Sequence, residues 1–379
     1  MSKDISINKK NCVIATNSLW NALNFRIGLM RNLKKLGYQV IILAPADTYK
    51  DILIKEGFQV HNINLKSHGK NPLREFYVLY EYYRAIKKIS PKFILSFTIK
   101  PNIYASIISK ILNIPIVNNI TGLGSTFLKK TLLQSFIKLI YKFIFKYSLM
   151  IFCQNVEDRA FMIKRLNLDS GKVKLLPGSG VDLKKFSYVE PKSNEKFIFL
   201  FVGRILKAKG VVELIEASKE ISSNNSNVLI NFIGDIDKYN PDTVSMENIN
   251  QASMHNNISF LGSQSDVREA MSNANCVVLP SYSEGSPKSL IEAAAIGRPL
   301  IGSDIAGIRP LILNNKNGFL CKTKDIESLV KAMKKMLELS IDERKRMGKV
   351  SRNIVELNYD ENIVIAKYIS VVQNICKDD

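Results

Sequence analysis

Residues 280–299 read P-S-Y-S-E-G-S-P-K-S-L-I-E-A-A-A-I-G-R-P. Just ahead of them, Cys276-Val277-Val278-Leu279 is an apolar run of the length of a buried strand. The chain then turns through Gly285. Ser286 has the chemistry of an N-cap, and Pro287 fits the first position of a helix. Leu290, Ile291, Ala293, Ala294 and Ala295 make a strongly helical run that Gly297 stops. The spacing therefore predicts strand, tight loop, helix, with Glu284 in the loop and Glu292 inside the helix. A helix start presents free N–H groups to a phosphate. Glu292 follows Pro287 by five residues, about 7.5 Å along the axis at about 1.5 Å per residue. Carboxylates bind phosphate poorly but accept well from sugar hydroxyls. The implied ligand carries phosphate at one end and hydroxyls further along.

The rest of the chain repeats this βα pattern. Its 379 residues suit two domains, and an apolar content of 46% lets each build a core. Strands are expected at 11–16, 40–44, 60–63, 93–97, 116–120, 149–153 and 174–176, separated by amphipathic helices. The punctuation 177–182, P-G-S-G-V-D, followed by a charged stretch, marks the domain boundary. We expect domains at 1–182 and 190–358, with 359–379 an amphipathic C-terminal helix. The strand at 197–202 opens the second domain. It ends in Gly203-Arg204 and is followed by Lys209-Gly210 and a helix from 211. Further strands are expected at 228–233, 258–261, 300–302 and 318–321. No G-x-G-x-x-G follows the first strand, which argues against a dinucleotide enzyme.

The E-x7-E of residues 284–292 lies within S-E-G-x-P-x-x-x-x-E-A-x-x-x-G-x-P. Here the chain resembles the retaining glycosyltransferases of family 4, which have the GT-B fold. The element G-R-x-x-x-x-K-G at 203–210 is similar to that family's donor-phosphate element. T-I-K-P-N-I-Y at 98–104 and N-N-I-T-G-L-G at 118–124 resemble a branch that builds bacterial surface polysaccharides. Several members of that branch move an N-acetylhexosamine onto a polyprenyl-diphosphate-linked sugar. The resemblance implies an α/β fold of two Rossmann-like doubly wound domains facing a cleft, with the C-terminal helix returning to the first domain. It implies transfer of a hexose or N-acetylhexosamine from a UDP-sugar to a lipid-linked saccharide with retention of configuration.

The residue roles follow from the same resemblance. Gly203, Arg204, Lys209, Glu284, Gly285, Ser286, Pro287 and Glu292 would bind the donor. Arg204 and Lys209 would stabilise the departing UDP, because two cations beside a helix start offset the developing charge without a metal. Glu284 would hold hydroxyls of the transferred sugar, and Glu292 those of the ribose. Trp20, Asn24, Lys100, Asn102, Thr121 and Gly122 follow strands on the edge where such folds bind ligands, and are the acceptor-side candidates. Trp20 is expected in a loop at 18–23, and Lys100 and Asn102 in a loop before a helix at 103–112. Many family members carry a glycine pair in the first of these loops and a functional histidine near the loop at 121–124. This chain has neither, so neither role is carried over. Gly234-Asp235-Ile236-Asp237 reads as a turn after a strand in preference to a metal ligand set. No cofactor or metal is expected.

Charge and composition bound the partners. The formal net charge is +20. Residues 1–180 hold 28 Lys and Arg against 9 Asp and Glu, and the remainder 26 against 25. An excess confined to one half points to a polyanion facing that half. Residues 127–152 contain Lys138, Lys142 and Lys146 among Phe, Ile and Leu, with no acidic residue. With Lys129 and Lys130 they form a basic, aromatic stretch suited to a membrane interface. No run of about 18 apolar residues is present. Five scattered cysteines, without metal spacing, fit reduced thiols. The expected setting is the cytoplasmic face of the cell membrane, with a peripheral attachment to anionic lipid and no nucleic-acid partner. Two rival readings remain. One is a GT-B enzyme that epimerises UDP-N-acetylglucosamine without transfer. The other is a basic membrane- or nucleic-acid-binding protein without catalysis, which would leave Arg204, Lys209, Glu284 and Glu292 unexplained.

Overall fold

The computed structural model describes residues 10–65, 72–122, 132–192, 195–223, 225–237 and 240–375. The chain divides into two units, 1–179 with 362–379 and 180–361.

The first unit runs β1 (Lys10–Ala15), α1 (Leu19–Lys35), β2 (Tyr38–Ala44), α2 (Lys50–Lys55), β3 (Gln59–Asn62), α3 (Pro72–Ile89), β4 (Phe93–Phe97), α4 (Ile99–Leu112), β5 (Ile116–Ile120), α5 (Leu132–Phe145), β6 (Met150–Cys153), α6 (Val156–Lys164) and β7 (Val173–Leu175). Its seven strands lie in the order β3-β2-β1-β4-β5-β6-β7, every pair parallel. β4 and β5 are buried along their whole length, as strands covered on both faces must be.

The second unit continues with β8 (Phe197–Val202), α7 (Val211–Ser223), β9 (Val228–Ile233), α8 (Met246–Ser253), β10 (Ile258–Phe260), α9 (Arg268–Asn273), β11 (Cys276–Leu279), α10 (Lys288–Ile296), β12 (Leu300–Ser303), β13 (Gly318–Cys321), α11 (Ile326–Glu338) and α12 (Ile341–Asn358). Its six parallel strands are ordered β10-β9-β8-β11-β12-β13. α13 (Glu361–Ile375) returns to the first unit, where Val364, Ile365, Tyr368 and Val372 share a core with Leu29, Met30 and Leu33 of α1. Burying each such side chain stabilises the fold by roughly 1.5–3 kcal/mol.

In both sheets the strand order reverses once, between β1 and β4 and between β8 and β11. Ligands of doubly wound sheets bind outside the carboxyl ends of the strands at that switch point. The segment after β8 carries Arg204 and Lys209, and the segment after β11 carries Glu284.

Three local expectations are corrected. α1 begins at Leu19, so Trp20 stands in its first turn and no loop spans 18–23. Ser18 caps that turn by accepting from the Asn21 N–H. α4 begins at Ile99, which places Lys100 and Asn102 on the helix. Pro101 in the first turn has no N–H to lose there. At α10 the cap is Pro287 itself, in extended conformation, one residue later than the sequence suggested. Ser286 therefore does not cap the helix. α8 has no counterpart in the sequence reading. Among the described residues no helix is long and apolar enough to cross a membrane.

Candidate donor site in the second unit

The site begins where β8 and β9 end. The Gly203 N–H donates to the Ile233 carbonyl at 2.9 Å. Gly234 lies against the same turn so closely that a Cβ there would fall 1.7 Å from the Gly203 oxygen. Arg204 follows, exposed, with no ion pair among the described residues. Asp235 and Asp237 serve this turn through their backbones. The Asp235 carbonyl accepts from the Ile205 N–H at 3.0 Å, and the Asp237 carbonyl from the Thr243 hydroxyl at 2.6 Å.

A short 3-10 turn, Lys207–Lys209, then carries the chain beneath the end of β11. The Ala208 carbonyl accepts from the Tyr282 N–H at 2.9 Å and from the Ser281 hydroxyl at 3.1 Å. Gly210 closes the turn at φ +71°, and a Cβ there would lie 2.0 Å from the Pro280 carbonyl oxygen. Only glycine permits both that backbone angle and that approach. The two segments so joined bring Lys209 Nζ to Glu284 Oε1 at 2.5 Å. Both side chains are largely withdrawn from water, 24% and 11% exposed.

On the other side, Gly307 packs on the loop, where a Cβ would lie 2.2 Å from the Glu284 carbonyl oxygen. Gly285 and Pro287 are buried and Ser286 half-buried. The cap residue of α10, Pro287, gives no side-chain hydrogen bond to the helix, in contrast to the serine, asparagine and aspartate caps of α1, α6, α8, α11 and α12. Its first turn thus keeps the electropositive character that attracts phosphate. Glu292 lies just over one turn into α10, and its side chain is 12% exposed. Burial raises its carboxyl above the ordinary 4.5, opposed by Lys288 and Lys185. Lys288 Nζ stands 3.8 Å from it. The arrangement offers two cations and a helix start to a diphosphate, and two carboxylates to hydroxyls.

Some participants escaped the sequence reading. Tyr282 donates its hydroxyl to Glu213 Oε1 at 2.5 Å, and burial with that carboxylate raises its phenol well above the usual range. Lys324 Nζ lies 4.8 Å from the centre of its ring. The signal for Tyr282 was its place at the strand end, two residues before Glu284. Lys288 was legible as the residue four before Glu292.

The acceptor-side candidates gather at the carboxyl edge of the first sheet, with unequal access. Trp20 is 45% exposed and packs edge-on against Phe25 at 5.3 Å. Asn24 donates to the Trp20 carbonyl within α1. The start of α1 is filled by a carboxylate, since Asp47 Oδ2 accepts from the N–H groups of Leu19 and Trp20 at 2.9 and 3.1 Å. Lys100 pairs with Glu75 at 2.8 Å. Asn102 is buried, donating to the Asn119 carbonyl at 2.9 Å and accepting from Asn118, so its amide is committed to the fold. Thr121 and Gly122 are half-buried, while Leu123, Gly124, Lys129 and Lys130 fall outside the described residues. On α5, Lys142 is exposed and Lys138 half-buried; Lys146, just past the helix, is exposed. Tyr141, Ile144 and Phe145 are buried in the core, whereas Leu139 and Phe143 face out.

Comparisons with known proteins agree with this architecture. Residues 184–354 match the family model described as glycosyl transferases group 1, and residues 14–155 match glycosyl transferase 4-like. The chain is 30% identical over 377 residues to N,N'-diacetylbacillosaminyl-diphospho-undecaprenol alpha-1,3-N-acetylgalactosaminyltransferase of Campylobacter jejuni, covering 94% of this chain and 96% of the relative. It is 28% identical over 284 residues to UDP-Gal:alpha-D-GlcNAc-diphosphoundecaprenol alpha-1,3-galactosyltransferase of Escherichia coli, covering 69% and 70%. Among solved structures, a glycosyltransferase from Rickettsia africae superimposes with a TM-score of 0.78 at 20% identity over 98% of this chain and all of that one. Anabaena HepE in complex with UDP and glucose gives 0.79 at 15% identity over 96% of this chain and 100% of that one. By its fold, its two matched domains and a relative similar along nearly its whole length, the chain belongs to the GT-B glycosyltransferases of group 1, with a family 4-like first domain.

Proposed function

We propose that this glycosyltransferase moves a hexose or N-acetylhexosamine from a UDP-sugar to a polyprenyl-diphosphate-linked saccharide, with retention of configuration, in bacterial glycan synthesis. The observation that carries the donor half is the contact of Lys209 with Glu284 beside the start of α10 at Pro287. The acceptor half rests on the two relatives above, whose names specify undecaprenol-diphosphate acceptors.

In this reading the UDP diphosphate lies at the start of α10, and Arg204 and Lys209 neutralise it as the bond to the sugar breaks. Glu284 gives up Lys209 to the phosphate and accepts from hydroxyls of the sugar. Glu292 accepts from the ribose. No covalent nucleophile is assigned. The departing phosphate assists deprotonation of the acceptor hydroxyl on the face it leaves. Arg204 and Lys209 supply the positive charge, so no metal is required, and chelation should leave the rate unchanged. The exposed Lys142 and Lys146, with Phe143, fit attachment to the anionic membrane that holds the acceptor lipid.

The test is a panel of UDP-hexoses and UDP-N-acetylhexosamines with a lipid-linked acceptor, following UDP release. Acceptor-dependent release from one of them is expected, and release from none would overturn the proposal. Interconversion of the UDP-sugar without acceptor would establish the epimerase reading in its place.

A further inference from the structure

The first unit contains a buried cation that its own fold does not neutralise. Arg26, on α1, is 3% exposed. Its Cζ lies 4.1 Å over the centre of the Phe97 ring. Its Nε has no hydrogen-bond partner, and among the described residues no carboxylate pairs with it. Burial lowers its pKa, and the one group that opposes this is the Tyr368 hydroxyl. A cation over an aromatic face recovers only part of what taking an ion out of water costs. A side chain of the shape of methionine would fill this space without that cost.

Further polar groups lie near Phe97. Phe97 ends β4 and is the register partner of Asn119 on β5. Tyr368 accepts from Asn119 Nδ2 at 2.6 Å, and Gln154, just past β6, donates to Asn119 Oδ1 at 3.2 Å. Thr98, the residue after Phe97, is held at φ +69° and ψ 167°, a region that side chains rarely adopt, and its buried Oγ1 has no partner. Arg26, Thr98 and Gln154 thus gather at the carboxyl ends of β4, β5 and β6. This is the edge, beside the β1/β4 switch point, where a doubly wound sheet receives its ligand.

We infer that Arg26 is the counter-charge for a phosphate of the acceptor's diphosphate. The inference rests on the acceptor class proposed above. A guanidinium presents a planar fork that matches phosphate, and its neutralisation on binding would offset the burial cost borne by the free protein. The donor diphosphate has its own cations, Arg204 and Lys209, in the second unit.

The test uses the full chain. Inorganic pyrophosphate is titrated by calorimetry in the presence of saturating UDP, so that the donor site is filled. Wild type should bind it, and Arg26→Met should bind about 10- to 100-fold more weakly, the range for a charge-assisted hydrogen bond. Arg26→Lys should fall between the two. With turnover as readout, Arg26→Met should raise KM for the diphosphate-linked acceptor while KM for the UDP-sugar stays put. Thermal melts establish that each variant is folded. Should Arg26→Met fail to fold, the wild-type titration and Arg26→Lys carry the test. Absence of pyrophosphate binding to wild type, equal binding by wild type and either variant, or a rise confined to the donor KM would each overturn the inference. Arg26-dependent binding of pyrophosphate in a protein that does not bind UDP would instead indict the donor assignment alone.

Discussion

Replacing Lys209 by methionine separates the structural role of the Lys209–Glu284 contact from the catalytic role proposed for Lys209. At 2.5 Å, with Glu284 only 11% exposed, the pair is a charge-assisted hydrogen bond partly shielded from water. Removing the cation leaves a carboxylate short of a partner, at a cost to stability of about 1.5–3 kcal/mol. The catalytic loss has a different origin. A preorganised donor aimed at charge developing in the transition state contributes about 2.7–4 kcal/mol, or about 10²–10³ in kcat. The double variant Lys209→Met, Glu284→Gln tells these apart. It replaces the stranded charge by a neutral amide and should regain most of the lost stability in a urea titration. Its turnover, followed as UDP release, should stay at or below that of Lys209→Met, because the phosphate cation is still missing. Wild-type turnover in Lys209→Met, with stability lost, would show that the pair only fastens the loop after β11 to the turn after β8. Turnover that recovers with stability in the double variant would contradict the reasoning equally.

Three further outcomes follow from particular contacts. Burial raises the folded-state pKa of Glu292 above 4.5, so its contribution to stability is complete below the unfolded value and is lost as pH rises through the folded value. Glu292→Gln should therefore be more stable than wild type at pH 7, with a gap that closes toward pH 4, while its donor KM rises; a gap independent of pH would refute this. Gly210→Ala puts a Cβ 2.0 Å from the Pro280 oxygen at φ +71°, and the backbone angle alone costs about 1–2 kcal/mol, so urea titration should show a larger loss than that, with a drop in kcat as Lys209 moves. Lysines at an anionic surface contribute about 1 kcal/mol each, so Lys142→Ala with Lys146→Ala should weaken sedimentation with phosphatidylserine vesicles by about 30-fold, and unchanged binding would remove these residues from the membrane face.

The legible part of the fold was the part written in short-range pattern. β4, β5, β8, β9, β11 and β13 span the residues expected of them, since short, mainly apolar runs bounded by turn residues mark buried strands. Helix starts were less legible. Thr98 enters α4 at a backbone angle that nothing in T-I-K-P-N announces, and the α1 start depends on Asp47, 28 residues away from Leu19. Glu284, Glu292, Arg204 and Lys209 stood out because their spacing is local to two loops. The contact between Lys209 and Glu284 did not, for it spans 75 residues and hinges on Gly210 and on the backbone of Ala208. Asn102 shows the reverse case. Its position after a strand suggested a ligand contact, yet its amide is spent on Asn118 and Asn119. Arg26 was hidden for a related reason, because one arginine among helical apolar residues looks like a solvated face until the packing is known.

The central claim is transfer with retention from a UDP-sugar to a diphosphate-linked lipid acceptor. Its most direct measurement is the anomeric configuration of the new linkage, read by proton NMR on the saccharide released from the lipid product of a UDP-α-sugar. An α linkage, formed with release of UDP and only in the presence of the acceptor, is the predicted result. A β linkage, or UDP released with free sugar as its sole partner, would contradict the account.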